Sequence, residues 1–120
     1  MAETTKKHFK LFKKECKKWI DFFGLKGWYA DYVHDTLIEG HEAGINADLN
    51  ARSASIILSD EWGSEVCDET VKMAAFHEVC ELLLAPLVGC AYDRFNVTRE
   101  SIEENTHIII QTLLNTVYKK

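Results

Sequence analysis

The chain has 120 residues, 47% of them hydrophobic and 28% charged, with one proline and a net charge of −5. That length predicts a single domain over residues 1–120 with a modest core, and the composition excludes a disordered or low-complexity chain. The longest apolar run, Leu82 to Tyr92, falls well short of the roughly 20 residues of a spanning helix, and the basic N-terminus has no signal-peptide core, so neither a membrane span nor secretion is expected.

Residues 5–23 predict an amphipathic helix. Phe9, Phe12, Cys16, Trp19, Ile20 and Phe23 recur at spacings of three and four, lysines fill the other face, and Gly24 is placed to stop the helix. The charge is uneven. Residues 1–20 hold seven lysines against Glu3 and Glu15, and the remaining chain is strongly acidic. Lys13, Lys14, Lys17 and Lys18 therefore offer a contact for an anionic surface. The acidic remainder argues against a nucleic-acid partner and for a solvated face, or one packed beside the domain's own carboxylates.

A β region follows. Residues 28–35 alternate around Trp28, Ala30, Tyr32 and His34, and residues 45–52 alternate around Ile45, Ala47, Leu49 and Ala51 after a turn near Gly40. Residues 53–59, Ser-Ala-Ser-Ile-Ile-Leu-Ser, read as a third strand. The short connections predict a three-stranded antiparallel meander. His34 and His41 flank the turn and read as solvated side chains.

Asp68 can cap a second long helix that runs to about Ala85, where Pro86 ends or kinks it. The helix is apolar nearly all round, which predicts burial. Thr98 caps a last helix to about Tyr118, with Ile102, Thr106, Ile109, Leu113 and Val117 as its stripe. The fold class expected is α+β in the order α-β-β-β-α-α, the sheet packed on helices.

The second long helix carries His77-Glu78-Val79-Cys80-Glu81, one residue from the His-Glu-x-x-His pattern of zinc peptidases. His77 and Glu81 are four apart and share a face, as two ligands of one metal would, and Glu78 lies about 100 degrees round. Carboxylates in a buried helix must be paired, protonated or metal-bound. The last helix supplies candidates for a third ligand, ordered His107, Glu103, Glu104 by their angle to its apolar stripe. With His107 the set is two His and one carboxylate, which suits zinc. With Glu103 it is one His and two carboxylates, which suits manganese better. In the catalytic version Glu78 is the proton-handling base and residues 53–59 hold a peptide as an added strand. The competing reading pairs Glu78 and Glu81 with Arg52, Arg94 or Arg99, leaves His77 as a core side chain and needs no metal. Cys16, Cys67, Cys80 and Cys90 match no disulfide, finger or ribbon spacing and read as free thiols of a reducing cytoplasm.

The element order, the segment Met73 to Leu84 and the tail from Glu103 through His107 to Ile110 resemble small phage-encoded metallopeptidase-like proteins of the minimal zincin type. The resemblance implies a zincin-like fold and a viral origin, hence the host cytoplasm. It also implies a peptide or protein substrate. His77 matches the first zinc ligand and Glu78 the base, while Glu81 stands where the second His belongs. The activity implied is that of a zinc metallopeptidase. The alternative is a catalytically inactive zincin-like module of a phage, in a virion or host-interaction assembly.

Overall fold

A computed structural model describes residues 2–37, 41–93 and 97–119. The described elements, in chain order, are β1 (Ala2–Glu3), α1 (Lys6–Phe22), β2 (Tyr29–Asp35), β3 (Ala43–Asp48), β4 (Ser53–Ser59), β5 (Glu61–Trp62), α2 (Asp68–Tyr92), α3 (Arg99–Leu113) and a π-helical turn over Leu114–Tyr118. The chain is mixed α+β, as its patterning implies. The turn expected near Gly40 lies outside the described residues.

α1 begins where Thr5 satisfies an orphan amide: the His8 amide donates to Thr5 Oγ1, and the Thr5 amide donates to His8 Nδ1. It ends at Gly24, whose φ of 71° is a left-handed value that suits glycine. Phe12 and Cys16 are fully buried against α2, with Phe9, Trp19 and Ile20 packed around them.

The sheet is not the expected meander. Its order is β2-β4-β3, with β2 parallel to β4 and β3 antiparallel to β4. The cause is visible in β4, where Ala54, Ile56 and Leu58 are buried and Ser53, Ser55 and Ile57 are half-buried. A strand with little exposed surface belongs in the centre, and β2 and β3, each wetter, flank it as edges. In register, Ala30, Tyr32 and His34 lie beside Ala54, Ile56 and Leu58 on the core side, with Ala47, Ile45 and Ala43 across from them on β3. β1 and β5 add a separate two-stranded ladder that the alternation did not reveal. Thr4 ties it to the main sheet by donating to the Ser59 carbonyl.

α2 departs from expectation in three ways. Its cap is Cys67, not Asp68, with the Cys67 amide donating to Thr70 Oγ1. It continues through Pro86 to Tyr92 instead of ending near Ala85. The proline removes one internal hydrogen bond, but the residues beyond it keep packing on α3 and β3. Nor is the helix buried all round. Val71, Ala75, Glu78, Val79 and Leu82 face the core, while Met73, Phe76, Leu84, Val88 and Tyr92 are exposed. Only α1 and the sheet cover it along its first half, and α3 reaches the second. By length and hydropathy α2 is long and apolar enough to cross a membrane, which the Leu82–Tyr92 run alone did not suggest; here its core face packs against α1 and β3.

Candidate functional site

Helical periodicity alone sets the geometry of the central residues. His77 and Glu81 stack one turn apart on α2, with His77 Nε2 3.6 Å from Glu81 Oε2. Both side chains are exposed, 71% and 51% respectively. The expectation of a buried charged trio therefore holds for Glu78 alone, which is turned about 100 degrees inward and is 3% exposed. One ligand-capable atom from each of His77, Glu78 and Glu81 lies within 4.8 Å of the others.

Glu78 is the electrostatic anomaly of the site. Its Oε1 is buried and has no hydrogen-bond partner. Burial, a hydrogen bond to Glu81 and the Glu81 charge together push its carboxyl up to about 8. The Glu78 carboxyl thus keeps its proton at neutral pH, at a position a cation could take instead. The strain reaches α1. Burial, and then the charges of Glu78 and Glu15, drive the Cys16 thiol far above its usual range.

The arginines considered as partners are engaged elsewhere or lie outside the described residues. Arg52 stacks its guanidinium 5.2 Å from the Trp28 ring. Arg99 donates to Glu103 Oε1 at 3.0 Å. Arg94 lies outside the described residues. Among the described residues, no lysine or arginine pairs with Glu78 or Glu81.

α3 places Glu103 and His107 on its exposed surface, Glu103 tied to Arg99. Glu104 is exposed as well. The described ligand-capable group closes over α2 alone and takes in none of the three. α3 meets α2 farther along, where Asn105 Nδ2 donates to the Cys90 sulfur and lines a hollow with Pro86, Gly89 and Ile108.

The neighbour of the trio is β3. A cleft of about 460 Å³ lies between the start of β3 and α2, lined by His41, Glu42, Ala43, Ser64, His77 and Glu78 among others. A second hollow of about 580 Å³ uses the same two walls farther along, with Ile45 and Ala47 facing Glu81, Leu84 and Val88. The strand expected to hold a peptide, residues 53–59, is the central β4. Its backbone is paired on both sides and cannot accept another strand. The edge beside the site is β3.

His41 and Glu42 are the residues that sequence reading missed. Nothing in the local pattern separates His41 from a solvated loop histidine. The signal is the sheet order: once β4 is central, the antiparallel β3 must run along α2, which carries its first residues to the cleft. Ser64 anchors that end by donating to Glu42 Oε2 at 2.6 Å. Comparison with known proteins adds no class to this geometry, since no family model, no curated protein and no solved structure matches the chain.

Proposed function

We propose that the chain is a metal-dependent hydrolase, a peptidase of the zincin type, with its site on α2 facing the β3 edge. The observation that carries this reading is the buried Glu78 carboxyl, its Oε1 without a hydrogen-bond partner, beside a His77–Glu81 pair at the wall of a cleft. The donor set passes a simple fit. Two ligands about 2.1 Å from a tetrahedral zinc stand about 3.4 Å apart, and His77 Nε2 and Glu81 Oε2 stand at 3.6 Å.

Zinc, or manganese where carboxylates dominate the donors, would polarise a substrate carbonyl and acidify a bound water. His77 and Glu81 would hold such an ion, and a third donor would come from a second element. His107 and Glu103 are its α3 candidates, and His41 joins them because it lines the cleft. With such an ion bound, the Glu78 carboxylate would take a proton from water and return it to the departing amine. The β3 edge offers free backbone donors and acceptors to an extended peptide, and Ile45, Ala47, Leu84 and Val88 meet its side chains.

Metal content of protein purified without chelator is the test. About one zinc or manganese per chain is expected, with loss in Glu81→Ala and retention in Glu78→Gln. Glu78→Gln should lower hydrolysis of a peptide library at least about 100-fold. Substoichiometric metal that Glu81→Ala leaves unchanged would overturn the reading. His41→Ala, His107→Ala and Glu103→Ala, compared for metal content, identify the third donor.

A further inference from the structure

The lysines of α1 form a single ridge. At 100 degrees per residue, Lys6, Lys10, Lys13 and Lys17 fall within about 60 degrees of one another, with Lys7, Lys14 and Lys18 in the adjoining row. The ridge follows a helix of 17 residues, about 25 Å long. Of these seven lysines, only Lys18 reaches a carboxylate among the described residues, Glu15 at 3.8 Å. The charge imbalance left open a ridge neutralised by the domain's own acids; among the described residues a single ion pair is all that neutralises it. Lysines three and four apart repel one another, and the first turn of α1 has no acid to offset its helix dipole. Three ammonium groups are steered by rings beneath them: Lys13 over Phe9, Lys17 over Tyr32 and Lys18 over Trp19. The other four are exposed and make no ion pair or ring contact among the described residues.

We infer that the α1 lysine ridge is a binding surface for the phosphate backbone of a nucleic acid. An unneutralised, regularly spaced row of cations matches an evenly charged polyanion, which releases counterions on binding. A membrane suits it less. An interfacial helix binds by putting its apolar face into lipid, and Phe12 and Cys16 on that face are fully buried against α2. The acidic remainder does not forbid contact, because salt limits its repulsion to about 8 Å at physiological ionic strength. The ridge is independent of the metal reading.

The test uses the full chain and short fluorescein-labelled oligonucleotides of mixed sequence, single- and double-stranded, read by anisotropy against salt. Binding is expected to weaken about 1,000-fold between roughly 50 and 200 mM salt for six phosphate contacts. The Lys6→Gln, Lys7→Gln, Lys10→Gln, Lys14→Gln variant leaves the ring-stacked lysines in place. It should fold with an unchanged circular dichroism spectrum and reduce the log–log salt slope by about three. Glu81→Ala should bind as the parent does. Four outcomes would overturn the inference: no binding at low salt, an unchanged slope in the variant, binding only to phosphatidylserine vesicles, or lysine-dependent self-association without oligonucleotide binding.

Discussion

Glu78 holds a proton that an exposed glutamate would have lost. Its folded carboxyl titrates near 8 against an ordinary value of 4.5, chiefly through burial and then through Glu81. Below about 4.5 both folded and unfolded chains carry the proton. Between about 4.5 and 8 only the folded chain does, so its stability falls as pH rises across that window and levels off above it. Urea melts in chelator at about pH 5, 6.5 and 8.5 should follow this decline, and Glu78→Gln should flatten it. A parent chain whose stability is flat between the first two pH values contradicts the assignment. At this scale the sequence was half legible. A spacing of four sufficed to place His77 beside Glu81, because helix geometry is local. Their exposure depended on what covers α2, and hydropathy reports how apolar a helix is, not which neighbours it has.

At the scale of elements, caps and stops were partly legible. Gly24 and Thr98 act as their chemistry predicts, whereas Cys67 caps α2 in place of Asp68. Gly24 has two reasons to be glycine: its positive φ, and the Thr116 methyl, 2.6 Å from where a Cβ would stand. Gly24→Ala is therefore expected to cost at least about 1 kcal/mol, read as a lower urea midpoint with an unchanged slope. The sheet order was harder. The short connections between the strands suggested a hairpin with each neighbour in turn. The stronger clue was the apolar content of β4, which demands a partner on each side. Pro86 misled because tertiary packing can carry a helix past a proline despite the lost hydrogen bond, and Gly89 and Cys90 beyond it still meet α3.

Across the whole molecule, packing is uneven. α1, α2 and the sheet share a core with fully buried Phe12, Ile56, Leu58, Val71, Val79 and Leu82, whereas α3 contributes Ile109 alone among its buried residues. Ile102, Ile108 and Ile110 stay exposed. Amide hydrogen exchange should therefore be faster along α3 than along β4 or the first half of α2. Equal protection would show that α3 is part of the same cooperative unit. The expected stripe on α3 holds at its centre, where Ile109 is buried and Leu113 packs on the core, but not at Ile102 and Val117, for a related reason. Periodicity marks which face of a helix is apolar, but a helix at the margin of a small domain meets too little surface to bury it.

The open edge of β3 also bears on how copies of this chain tolerate one another. Free edges are where folded proteins stack into aggregates. Were two copies to join antiparallel along β3 with Ile45 opposite Ile45, Glu42 of one would stand opposite Asp48 of the other, at both ends of the ladder. Carboxylates facing each other across such a seam make stacking unfavourable. The strand that stands open to a peptide is thus guarded by charge against its own kind.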